Sequence, residues 1–188
     1  NTGVIWLKSG ANKRRVNSKE ELRRLFQVTD QFHADELPTE ATHRDIDLSR
    51  FRIFLRQVYD QDVPTSERQL VTLLRNLNLA SDTGNLNLAG VLLLADSPQR
   101  FKPQFVLKAI RYPGIEIHPT TYQDTEDFEG PLPAVFEGAL AFVLRNLHKV
   151  QGNRGVNSPG TVEIPSVVFE ELLVNALVHR DYLISAPV

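Results

Sequence analysis

Apolar residues in this chain are gathered into short stripes at helical spacing, each cut off by prolines, glycines or acidic residues. Phe51, Phe54, Leu55 and Val58 form one stripe, and Leu70, Leu73 and Leu74 another. Val135, Phe136, Leu140, Val143, Leu144 and Leu147 form a longer third. Stripes of this width leave water only by packing on one another or on a sheet, so the chain must fold into short elements around a shared core. With 188 residues, 41% of them apolar, the material suffices for one or two domains. The longest unbroken apolar runs, 91–95 and 139–144, are far below the roughly 20 residues of a membrane helix. No signal-peptide pattern opens the sequence, and a cytoplasmic protein without a membrane partner is expected.

Helix and strand signals alternate along the chain. Ser18 with Glu21 has capping-box spacing ahead of Leu22, Leu25 and Phe26. Asp47 and Ser49 can cap the Phe51 stripe, Thr65 or Ser66 the Leu70 stripe, and Pro131 and Pro133 suit the first turn of the Val135 stripe. A last helix is predicted from Pro165 or Ser166 to about His179. Val4 to Lys8, Leu88 to Ala95, Gln104 to Tyr112 and Thr161 to Ile164 read as strands, the second because its apolar run is continuous. Residues 27–45, the turn-rich 76–87, the acidic 122–130 and the Gly- and Asn-rich 151–160 read as exposed connections. The predicted class is mixed α/β (α+β), a small sheet with flanking helices in the middle of the chain.

Composition removes several kinds of chemistry. The sequence contains no cysteine, which excludes disulfides, thiolate metal sites and a cysteine nucleophile within it. It also contains no methionine, so an excised internal segment of a longer protein is expected. The formal charge of −2 hides an asymmetry: residues 1–27 hold seven Lys or Arg against two Glu, and the rest hold fourteen against twenty-one acids. Lys13, Arg14 and Arg15 are therefore candidate phosphate contacts, with a solvated basic surface as the alternative.

The segment 170–182, E-E-L-L-V-N-A-L-V-H-R-D-Y, carries the most specific chemistry. On a helix, Glu171, Asn175 and His179 are successive fourth residues and project from one face, while Val168, Leu172, Leu173, Ala176 and Leu177 could fill the other side. A row of carboxylate, amide and imidazole on an apolar helix calls for water or a ligand.

The spacing E-x-x-x-N-A-x-x-H resembles the N-box of the ATPase fold shared by gyrase, heat-shock chaperones, histidine kinases and MutL. That resemblance implies ATP and Mg²⁺ as cofactors of the full-length protein, with Asn175 as the Mg²⁺ ligand through its carbonyl oxygen and Glu171 as the base that activates water. The longer stretch N-A-L-V-H-R-D-Y, with L-A-G-V-L-L-L-A-D-S-P-Q-R at 88–100 and the opening I-W-L-K-S-G-A-N-K-R-R-V, resembles the RecG-related family of ATP-dependent DNA helicases and transcriptional regulators. On this resemblance residues 1–28 are the tail of a Schlafen/AlbA-type DNA-binding domain, 29–158 a middle α/β domain, and 159–188 the start of a GHKL-like ATPase domain. The function implied is that of part of a bacterial DNA-binding, ATP-responsive transcription regulator, with DNA and a second copy of the chain as partners.

Two alternatives stay open: an ATPase acting on DNA in the full-length protein, and a nucleotide-independent interaction or dimerisation module. The superfamily's adenine box and Gly-rich lid have no counterpart within these 188 residues, and no Walker phosphate loop occurs among them. His179-Arg180-Asp181 lacks the Asn that a kinase catalytic loop carries five residues after its Asp, since Ala186 stands there. His33, His43, His118 and His148 have no metal-ligand spacing, and 124–129 lacks a calcium-loop pattern.

Overall fold

In the computed structural model, which describes residues 5–9, 12–19, 21–22, 25, 33–114, 120–147, 149–150, 161–162, 164–184 and 186–187, the chain divides into two units, Asn1–Ala34 and Asp35–Val188. The sequence-derived boundaries at 28/29 and 158/159 lie outside the described residues. In the first unit, strands β1 (Trp6–Ser9) and β2 (Asn12–Arg15) form an antiparallel ribbon, extended by a hydrogen bond from Val16 N to Ile5 O. Beyond it, Ser18 Oγ accepts from Glu21 N at 3.0 Å, half of the expected capping box. The Glu21 carboxylate pairs with Arg14. Phe26 lies outside the described residues.

The second unit is mixed α+β. Its described helices are α1 (Leu48–Tyr59), α2 (Glu67–Asn76), α3 (Leu88–Leu94), α4 (Leu132–Asn146) and α5 (Ser166–Val178). Strands β3 (Leu107–Arg111) and β4 (Asp124–Phe128) pair antiparallel, as do the short β5 (Lys149–Val150) and β6 (Thr161–Val162). Helix α1 is capped as its sequence predicts, with Asp47 Oδ1 accepting from Ser49 N and Arg50 N. Its apolar stripe narrows to Phe51 and Leu55, which are fully buried, while Val58 is exposed. Burial of each such side chain contributes about 1.5–3 kcal/mol. They meet Leu70 and Leu74 of α2 and Val91 and Leu94 of α3 in one core.

The run 88–95 is a helix, not the strand its continuous apolar character suggests. An all-apolar run has no period to separate the two conformations, so its ends decide. Asn87 decides for helix: its Oδ1 accepts from Gly90 N at 2.8 Å and its Nδ2 donates to Asn78 O at 2.6 Å. The helix is apolar all round because it is used on two sides. Val91 and Leu94 enter the α1–α2 core, and Leu88 and Leu92 pack with Phe105 and Tyr182. Gly90 permits this depth, since a Cβ there would stand 2.2 Å from Leu79 O.

The acidic segment 122–130 is likewise not the exposed loop its composition suggests, because its centre is strand β4. Asp124, Glu126 and Phe128 point toward α4, where Asn146 and Arg145 take the carboxylates and Phe142 meets Phe128 edge-on at 6.2 Å. The Asn146 hydrogen bond, with Arg145, holds the Asp124 carboxyl below its ordinary value. Alternation here is carried by acids that face basic and amide partners, which hydropathy does not register. On α4 the deepest residues are Val135, Ala139 and Phe142, so its buried stripe is displaced from the sequence expectation.

Asn87→Ala removes the α3 cap, leaves the buried Gly90 N–H without its acceptor and loses the part-buried bond to Asn78 O, so it should lower the unfolding free energy by about 1–3 kcal/mol. Gly90→Ala should cost more, because the obstructing atom is a backbone carbonyl that cannot rotate away. Urea unfolding of the two variants beside the wild type checks the order, and a Gly90→Ala variant as stable as wild type would contradict the packing.

Candidate functional site

Helix α5 is apolar on most of its surface, yet only Leu177 is buried, against Leu107, Val135 and Ala139, with Leu173 packed partly beside it. Val168, Leu172 and Ala176 do not fill a buried face as the sequence suggests. They are exposed, Leu172 at 60%, along with Val167, Val174 and Val178. A single line of contact with α4 and β3 is enough to seat the helix, and the remainder of its apolar surface meets no described residue that would cover it.

The polar row stands on this exposed surface. Glu171, Asn175 and His179 are all exposed, and among the described residues no hydrogen bond or ion pair engages the Glu171 carboxylate or the Asn175 amide. Only the backbone of Asn175 is used, its carbonyl accepting from His179 N at 3.0 Å, which makes His179 the C-cap of the helix. Two oxygen donors one turn apart suit a hard cation such as Mg²⁺, which takes one or two protein oxygens and keeps water or phosphate for the rest of its shell. They supply no cradle for phosphates. Among the described residues no three His, Asp or Glu gather as a protein-only metal site.

The residues after the helix, which sequence reasoning used only as part of a motif, have a definite structural role. Tyr182 Oη donates to Leu177 O at 2.6 Å, and its ring meets Phe105 edge-on at 5.2 Å. Arg180 stacks over Phe105 at 4.7 Å and over Tyr182 at 5.4 Å, and donates to Gln104 O and Ala186 O. Asp181 Oδ1 accepts from Leu183 N, closing a turn. The Arg-Asp-Tyr triplet thus latches the C-terminal end of α5 to the segment that precedes β3. Burial pushes the Tyr182 phenol above its ordinary pKa, partly opposed by Arg180, and burial lowers the Arg180 guanidinium. The signal in sequence was an aromatic and an arginine directly after a helix end, which becomes meaningful only once Phe105 is known to lie opposite.

The basic candidates are divided by the ribbon. Lys13 and Arg15 are alternate residues of β2 on one face, and Arg14 is on the other, paired with Glu21. Clefts of about 400 and 550 Å³ lie elsewhere, the first lined by Arg44, Asp45, Asp47, Asp96 and Arg100, the second by Glu36, Arg75, Asn78 and Asn87. In the first, Asp45 binds Thr42 and pairs with Arg100, and Asp47 caps α1, so those carboxylates are committed to the fold.

No family model matches the sequence, and no curated protein matches it. Among solved structures, it is similar in fold to the DIP2311 protein from Corynebacterium diphtheriae, with a TM-score of 0.52 at 20% identity. That likeness covers 98% of this chain and 35% of the other, so the chain spans about a third of that protein's length. At this identity the likeness extends to fold alone. Among the described residues no helix is long and apolar enough to cross a membrane.

The exposure of the row separates it from the latch in a stability measurement. Glu171→Gln and Asn175→Ala should each change the unfolding free energy by no more than about 0.5 kcal/mol. Tyr182→Phe loses a hydrogen bond to a half-buried carbonyl and should cost about 1 kcal/mol. Because the folded phenol titrates above the unfolded value of about 10, its contribution is complete below that pH and is lost as pH rises through the folded pKa. Thermal melts above pH 10 should therefore fall more steeply for wild type than for Tyr182→Phe; parallel curves would contradict a buried phenol.

Proposed function

We propose that this chain is the connecting region of a bacterial DNA-binding, ATP-responsive transcription regulator of the RecG-related kind, with Asn175 and Glu171 as its contribution to a Mg²⁺-nucleotide site. The observation that supports this reading is the unengaged Glu171–Asn175 pair, held one turn apart in solvent on a helix whose far end is latched by Arg180 and Tyr182. Bound Mg²⁺ would neutralise phosphate charge; Asn175 would lend it a carbonyl oxygen and Glu171 would take a proton from water. The helicase label has no support in a Walker loop, and the regulator reading does not require one. DNA is assigned to the basic N-terminal segment.

Nucleotide binding by the full-length protein, titrated with and without Mg²⁺, tests the reading. Asn175→Ala should weaken the Mg²⁺-dependent binding. Glu171→Gln should leave binding intact and, if the protein turns ATP over, slow that turnover by on the order of 10²-fold. The 188-residue chain alone should show no Mg²⁺-dependent hydrolysis above its Glu171→Gln control, because two donors on one helix do not enclose a triphosphate. Binding unchanged in Asn175→Ala would remove the nucleotide site.

A second reading, a nucleotide-independent interaction module, is favoured by the exposed Val167, Leu172, Val174 and Val178 of α5. It predicts self-association, measurable by sedimentation, that Leu172→Glu abolishes and that Mg²⁺-ATP does not alter. A monomer at all concentrations contradicts it.

A further inference from the structure

Lys13, Arg14 and Arg15 are consecutive in sequence but do not share a surface, and an aromatic from the neighbouring strand, Trp6, joins two of them. The register of the β1–β2 ribbon sets Trp6 opposite Arg15 and Lys8 opposite Lys13. Directly paired residues of an antiparallel ladder project from the same face, as do alternate residues of one strand. Trp6, Lys8, Lys13 and Arg15 therefore share one face, while Ile5, Leu7 and Val16, which are half-buried, and Arg14 take the other. All four members of the first face are exposed, and the Trp6 side chain is 59% exposed.

Three features of this face call for a polyanion with flat rings. Lys8 and Lys13 stand directly opposite each other, a like-charge pairing that weakens a ribbon unless something negative lies across it. Among the described residues no acidic side chain pairs with Lys8, Lys13 or Arg15, whereas the neighbouring Arg14 is neutralised by Glu21. An indole left in water beside three cations offers a ring face to a base, and base stacking on an aromatic platform flanked by phosphate-binding cations is the general mode of single-strand recognition. Bases of a duplex are stacked on one another and cannot use it.

We propose that the Trp6–Lys8–Lys13–Arg15 face of the β1–β2 ribbon is a docking surface for single-stranded DNA, one base stacking on the Trp6 indole and the flanking phosphates lying on the three cations. This deepens the DNA-binding reading above and rests on it. Trp6 is the single tryptophan of the sequence, so its fluorescence reports on this face alone.

The experiment is a titration of the 188-residue chain with oligothymidylate, the same sequence annealed to oligodeoxyadenylate, and inorganic polyphosphate. Single strands should quench Trp6 saturably, and polyphosphate, having no bases, should bind more weakly without quenching. With a dye-labelled oligothymidylate read by anisotropy, Trp6→Ala should weaken binding about 5- to 150-fold, and Trp6→Phe should restore most of it. Lys13→Ala should lower the log–log salt slope by about 0.7, the value for one contact to a single strand, and Arg14→Ala should leave the slope unchanged. If strands bind but Trp6 is neither quenched nor needed, the stacking surface is overturned while the DNA-binding reading survives. Equal losses in Arg14→Ala and Lys13→Ala likewise overturn the assigned face. If neither strands nor duplex bind, both the surface and the DNA-binding role of this segment fall.

Discussion

The second unit depends on the burial of Asn87. It is the one polar side chain among the described residues that is almost wholly removed from water, and both halves of its amide are used. The oxygen starts α3 and the nitrogen ties that start to the turn after α2. Such a group is stable inside only when fully satisfied, so its geometry leaves α3 little freedom in register or direction. Gly90, one turn later, lets the helix sink until its backbone lies against Leu79.

Helix α3 then carries this order outward. Its Val91 and Leu94 complete the core of α1 and α2, and its Leu88 and Leu92 form the wall on which Phe105 and Tyr182 rest. Tyr182, Arg180 and Leu177 hold the C-terminal end of α5, and Leu173 packs partly beside them one turn earlier. Positioning of Glu171 and Asn175 thus runs through packed residues rather than through hydrogen bonds of their own. That arrangement leaves both side chains in solvent without a partner among the described residues, and much of the apolar helix surface exposed beside them.

In the first unit the decisive constraint is the pleat. A two-residue period sends neighbours in sequence to opposite faces, which separates Arg14 from Lys13 and Arg15 and gives it to Glu21. The same pleat brings Trp6 and Lys8 across from the other strand. Basic character that looks like a single cluster in one dimension becomes one structural ion pair and one exposed cationic face.

Local signals in the sequence marked where α1, α2, α4 and α5 lie. The Asp47 cap of α1, apolar repeats such as Phe51–Leu55 and Leu70–Leu74, and prolines at the starts of α4 and α5 act within a few residues and need no partner to be read, although Ser66 at the start of α2 makes no side-chain cap. The i, i+4 spacing likewise determined that Glu171, Asn175 and His179 share a face. Tertiary structure decided what lay across the chain. The run 88–95 became a helix through an amide bonded to Asn78 and a glycine against Leu79, and 124–128 became a strand by pairing with 107–111, its inward acids met by Arg145 and Asn146. Which face of α5 is buried also followed from long-range packing, and which aromatic stands beside the basic run followed from the cross-strand register of the ribbon. The physical reason is common to these cases: capping and periodicity are interactions between near neighbours, whereas burial and cross-strand register are set by residues that only the fold brings together.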